Sequence, residues 1–240
     1  FLISFPYHKL KFNETQSASF LFFILIFFYS FSQDLEQRTL TMSPFFSLNV
    51  YSGLDIKLIK SDVNKAVVFG DHKDDIILTL KRNTLKIKLS TKSIFDLGYT
   101  YVELYHSKPL DKITAHQGSY ITSEEPIKQT SLKLVAKTGA KIKATTLTER
   151  LDVNTNTGGR VGLKGSVVNL NLKVSSGGTC DAEKLISEQS EIRLIAAGYA
   201  HITATELIDA KVFGGGVLRV YGRPIKQITQ TKFWGKIIIR

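Results

Sequence analysis

Cysteine is nearly absent. Cys180 stands alone among 240 residues, so no internal disulfide can form and no cysteine-based zinc set is available. Methionine and tryptophan also occur once each, as Met42 and Trp234, and proline only five times. No apolar run approaches the roughly 20 residues that a helix needs to cross a bilayer. Acidic residues are outnumbered, 21 against 32 lysines and arginines, for a formal net charge of +11. A surplus of that size attracts anionic polymers without choosing among them. With 43% hydrophobic residues, the composition excludes a disordered chain and suits a packed domain. Thr, Ile, Val and Leu are common, which favours strands.

The longest apolar run is FLFFILIFFY, Phe20–Tyr29. Too short to span, it fits the core of a secretory signal. His8, Lys9 and Lys11 form a basic flank before it, and Ser30-Phe31-Ser32 puts small residues ahead of a cleavage point at Gln33. The expected organisation is a signal region at 1–33, a short lead-in at 34–45 and one β domain over 46–240. Export, to the periplasm, the outer membrane or the exterior, is the matching localisation. Losing Lys9, Lys11 and Glu14 with the signal would leave a charge of +10.

The stretch NTGGRVGLKGS, Asn156–Ser166, looks most like a phosphate loop. A phosphate loop needs G-x-x-x-x-G-K-[ST], and here Lys164 precedes Gly165. Glycines at 158, 159, 162 and 165 also miss the G-x-G-x-x-G order. Its glycines belong instead to a repeat. Turn positions fall at Gln117, Thr138, Gly159, Gly178, Gly198, Gly216 and Gly235, at steps of 18 to 21 residues. Two and four places after each come small or apolar residues, such as Val161 with Leu163, Cys180 with Ala182, and Leu218 with Val220. Polar residues such as Asp181, His201 and Arg219 separate them, the signature of a strand with one buried face. A second alternation follows, as in Leu170, Leu172 and Val174.

Repeats of this length imply a stacked architecture. The leucine-rich pattern is missing, and helix pairs would show a 3.6 period. The expected fold is therefore all-β: a single-stranded parallel β-helix (β-solenoid) with rungs of about 20 residues. Right-handed winding follows from the general crossover preference. Glycine is expected at corners, where positive φ is needed. Residues 46–110 are also strand-like but less regular, and are expected to form longer capping rungs.

The order of elements is identified as that of a known family. FSLNVYSGLDIKLIKSD, NTLKIKLS, YVELYHSKPLDKITAHQGSYI, the rungs with G/S/A corners and the late VYGRP resemble the head GIN domain, the auto-transporter adhesin family of exported Bacteroidetes-type proteins. The resemblance covers roughly 46–240. Its usual Gly-Ser-Gly corners are replaced here by QGS, KTGA, TGG, SGG and AAGY. It implies a parallel β-helix, export and a role in adhesion, while the basic surplus and outward aromatics of the chain itself make a cell-surface glycan or envelope polymer the expected partner. It brings no catalytic residues.

The residues themselves point to no catalysis, metal or cofactor. His8, His72, His106, His116 and His201 lack ligand spacing. Cys180 sits in an inward column and reads as core. The acidic stretch Asp71-His72-Lys73-Asp74-Asp75 lacks calcium-loop spacing and reads as a solvated turn. Alignment puts Asp181 beside Gly162 and His201, and Glu183 beside Lys164 and Thr203, a mixed column. A polysaccharide lyase or hydrolase would need stacked acids. Outward Lys141, Lys143, Arg160, Lys164, Arg219 and Arg240, with Tyr120, Tyr199 and Tyr221, form a basic, aromatic surface. Nucleic acid is not the expected partner of an exported chain. Homo-oligomers through end or edge stacking are the remaining alternative.

Overall fold

The computed structural model describes residues 37–92 and 98–240. The expected signal region lies outside the described residues. The described residues form one compact unit, a β-solenoid of about seven turns with rungs about 19 residues apart. Seventeen strands follow in order: β1 Gln37–Thr41, β2 Ser47–Val50, β3 Asp55–Lys60, β4 Lys65–Gly70, β5 Ile76–Lys81, β6 Thr84–Leu89, β7 Thr100–His106, β8 Lys112–Ala115, β9 Tyr120–Ser123, β10 Ile127–Lys137, β11 Lys141–Asn156, β12 Arg160–Ser175, β13 Thr179–Ile195, β14 Tyr199–Phe213, β15 Val217–Tyr221, β16 Lys226–Lys232 and β17 Lys236–Ile239.

From β10 onward every pairing is parallel and each rung stacks on the one before it. Strands β11 to β14 each make a whole rung, and the register shifts only where β13 pairs with β12 and β14. In β12 one segment runs over Arg160–Lys164, a corner follows at Gly165, and a second long segment ends at Ser175. Inward columns stack directly: Ile121, Ile142, Val161, Cys180, Ala200, Leu218 and Ile237 share one row. Nearly all of that row is buried, Cys180 to 2% exposure. The apolar interior is continuous along the stack, which supplies the main stabilising force.

Two details of the repeat differ from the sequence reading. Lys141 lies opposite Tyr120 and Arg160 opposite Lys141, so Ser119 and Ala140, not Gln117 and Thr138, align with Gly159. The first two repeats were out by two residues. A slip of two leaves inward and outward faces unchanged, which is why the pattern hid it. The glycine column also has a different cause. The left-handed pair lies just before it, as in Thr157 and Gly158, Ser176 and Gly177, and Ala196 and Ala197. Two consecutive positive φ values make a type I′-like turn. Gly159 follows this pair and is not left-handed. A Cβ there would lie 2.2 Å from the Ala136 carbonyl oxygen of the neighbouring rung. The column glycines thus admit close backbone approach, while their predecessors make the turn.

The first half is arranged differently. Strand β2 lies between β6 and β8, and β3 lies between β7 and β9, all parallel. The layer made by the later β6 and β7 therefore stacks outside the earlier β2 and β3. Antiparallel strands close this end: β5 pairs with β6, β4 with β7, and β1, from the lead-in, with β4.

Candidate functional site

The first long segments of the rungs build one outward face. Tyr101, Asp55, Tyr120, Lys141, Arg160, Thr179, Tyr199, Val217 and Lys236 form its first column, one residue per layer. The column two residues further along holds Glu103, Lys57, Thr122, Lys143, Gly162, Asp181, His201 and Arg219. Cations and aromatics named from the sequence do meet here. Lys143 Nζ lies 5.7 Å from the Tyr120 ring centroid, and Arg219 lies 5.4 Å from that of Tyr199. His201 is set between Tyr199 and Tyr221, at centroid distances of 5.0 and 5.9 Å.

Gly162 interrupts this column. Between Lys143 and Asp181 no side chain projects, and a groove of about 380 Å³ opens there, lined also by Lys164, Glu183 and Lys184. Both charge signs face it. Strand β13 bulges beside the groove, the register jumping from Gly162–Asp181 to Lys164–Lys184. Lys164 thus lies opposite Lys184, not Glu183 as alignment alone suggests. Glu183 falls within the bulge, and its carbonyl accepts a hydrogen bond of 2.6 Å from Thr203 Oγ1, so the expected proximity to Thr203 holds.

Asp181, Glu183 and His201 converge, with one ligand atom of each within 4.8 Å of the others. Arg219 Nη1 donates to His201 Nε2 at 3.0 Å. That makes Nε2 the acceptor, and the fixed guanidinium charge sits where a metal would share the imidazole. Together with Arg219 the trio is a mixed-charge cluster, and no metal is assigned to it. In the Asp71–Asp75 loop, residues 73–75 form a single 3₁₀ turn. Arg38 Nη1 donates to the Asp74 carbonyl at 2.7 Å, and Asp71 Oδ2 accepts from the Tyr99 amide at 3.2 Å. Cys180 is sealed in the core, and burial pushes its thiol up to about 12, far from a nucleophile's range.

Sequence reasoning missed a tyrosine cluster at the capped end of the same face. Tyr105 donates to Glu103 Oε2 at 2.9 Å, Tyr99 donates to Asp55 Oδ2 at 2.9 Å, and Lys57 pairs with Glu124 at 2.9 Å. Burial, reinforced by Glu103, pushes the Tyr101 phenol up to about 12. The alternation Tyr101, Glu103, Tyr105 was visible. Its place beside Lys57 was not, because β7 reaches β3 across more than 40 residues.

The family model for "Putative auto-transporter adhesin, head GIN domain" matches residues 44–224. The chain belongs to this head GIN domain family. Solved structures share the head GIN fold over most of their length. A putative adhesin from Bacteroides fragilis superposes with a TM-score of 0.77 at 20% identity, covering 87% of this chain and 98% of that one. A putative adhesin from Parabacteroides merdae gives 0.68 at 16%, covering 87% and 97%. A protein from Parabacteroides distasonis described as a putative lipid binding protein gives 0.65 at 16%, covering 85% and 96%. No curated protein matches the chain. Among the described residues, no helix is long and apolar enough to cross a membrane.

Proposed function

We propose that this head GIN protein is an exported, non-enzymatic adhesin that holds a cell-surface glycan or envelope polymer on its ridged outer face. The observation that carries the reading is the groove at Gly162, with lysines and carboxylates on its walls and tyrosines along the same face. Sugars are bound by aromatic faces together with a few fixed polar groups. At the capped end of this face Glu103, Asp55 and Glu124 are held by Tyr105, Tyr99 and Lys57, which suits holding a polymer better than cleaving it.

A glycan array probed with the full chain tests this. Binding to at least one envelope glycan is expected, with the glycan recovered at full length. Gly162 has no left-handed φ, and an added Cβ would make only ordinary contact, 3.5 Å from Lys143 Cγ. Gly162→Phe should therefore fill the groove and abolish binding while leaving the circular dichroism unchanged. Release of new reducing ends would favour a polysaccharide-cleaving enzyme instead. Retention on lipid vesicles alone would transfer the reading to a lipid surface. Ile225, Phe233 and Trp234 are exposed around the last described rung, Trp234 to 89%, and favour association between copies. A scattering mass that rises with concentration is the expected sign of it.

A further inference from the structure

The second long segments of the rungs carry a recess of their own. Asn49, Thr114, Val135 and Asn154 lie side by side on four successive layers. Thr114 and Val135 point outward, because their neighbours Ile113, Ala115, Leu134 and Ala136 all belong to the core. Yet Thr114 is only 3% exposed and Val135 only 4%. Outward residues so shielded are the floor of a pocket, here about 310 Å³. Lys112 and Lys133 flank it in one column, and His116 and Lys137 in the other, with Tyr51 at the edge. The Tyr51 and His116 rings stack at 4.4 Å and 2°, and Lys86 Nζ lies 4.6 Å from the Tyr51 centroid.

Two independent features mark this recess. Thr114 Oγ1 is buried and has no hydrogen-bond partner, a costly state unless a ligand supplies one. Three lysines line the pocket and no carboxylate does. The nearest acid in register, Asp152 beyond Lys133, is engaged by Arg150 at 3.3 Å. Convergent like charges around an orphan hydroxyl describe an anion site.

We propose that this recess binds a tetrahedral oxyanion, the sulfate or phosphate ester of an acidic glycan, held by Lys112, Lys133 and Lys137 with Thr114 donating from the floor. Lysine suits such a group as a compact, rotatable donor. The inference rests on the surface-binding reading only for what carries the anion. The site itself stands on its own atoms. Burial, then the charges of Lys137, Lys112 and Lys86, hold the His116 imidazole below its ordinary value. An anion bound among those lysines would offset their charge and move the imidazole back up.

The full chain is titrated with inorganic sulfate and phosphate, then with a sulfated oligosaccharide, its desulfated form, and anionic phospholipid vesicles. Calorimetry reads affinity, and NMR reads the His116 ring. Both inorganic anions should shift the His116 resonances and raise its midpoint, and the sulfated oligosaccharide should bind more tightly than the desulfated one. Lys133→Gln and Lys137→Gln should each weaken binding about tenfold, the scale of one charge-assisted hydrogen bond. Thr114→Val should weaken it with the melting curve unmoved, and Lys128→Gln, outside the recess, should change nothing. No His116 response to any anion, or equal weakening by Lys128→Gln, overturns the site. Glycan retention without a His116 response overturns it too and leaves the groove reading intact. Inorganic anions binding without any preference for the sulfated sugar support the oxyanion site and overturn its glycan source, as does a response to vesicles alone.

Discussion

The two halves of this solenoid solve the same packing problem in different ways. From β10 to β17 each rung follows its neighbour in both chain and space, and equivalent residues recur every 17 to 20 positions. From β1 to β9 the layers are assembled out of order, and three of the pairings are antiparallel. A strict period is needed only where a chain must climb one layer per turn. Where a strand arrives from elsewhere, its hydrogen bonds set its register and its connection can be any length. The antiparallel strands also cover a stack end that would otherwise expose unpaired backbone.

The strongest way to break this comparison is to cut the core in each half. Leu48 and Leu172 are both fully buried. Each leucine-to-alanine change should cost about 2–5 kcal/mol in urea unfolding. Hydrogen exchange should separate them. Leu48→Ala should loosen β6 and β8 together, since β2 is bonded to both. Leu172→Ala should act mainly on the adjoining rungs, as nearest-neighbour stacks do. Equal, molecule-wide loosening by both would erase the distinction.

A smaller contrast lies within one turn. Gly159→Ala forces a Cβ against the Ala136 carbonyl and should cost about 1–3 kcal/mol, or somewhat more, through overpacking. Gly158→Ala meets open space and suffers only its left-handed φ of 71°, about 1–2 kcal/mol. Denaturant midpoints of the two variants check the order, and a reversed order would mean that the turn, not the close approach, selects the column glycine.

The smallest effect is on pH. His106 and His116 both lie in the first half, and burial lowers both from their ordinary 6.5. The folded protein keeps them neutral, so the unfolded chain binds protons first on acidification. Stability should be full above about pH 6.5 and fall as the pH drops toward the folded values. Exchange at β7 and β8 should quicken before that of the later rungs. His106→Gln and His116→Gln should each flatten this dependence. Uniform acid loosening would assign it to the carboxylates instead.

Legibility in the sequence tracks the same division. The alternation around Val161, Leu163, Cys180 and Ala182 was readable because the pleat imposes it residue by residue. The meeting of Asp181 with His201 was readable because one period separates them. The Tyr101–Glu103–Tyr105 cluster against Lys57 was not, nor was the recess over Thr114. Both bring together layers, β7 with β3 and β2 with β8, that lie far apart in the chain. The bulge that puts Lys184 opposite Lys164 was also hidden, since an inserted residue leaves a repeat count nearly unchanged.

The sequence by itself determined which side chains face inward, how long a rung is, and that the molecule is a β-solenoid. These follow from the two-residue pleat and from small residues spaced to let backbones approach. Only the tertiary structure decided which layers are neighbours at the capped end, and so that Asn49 and Tyr51 border the recess over Thr114. Layer order is chosen by hydrogen bonds between distant segments, and no local pattern records that choice.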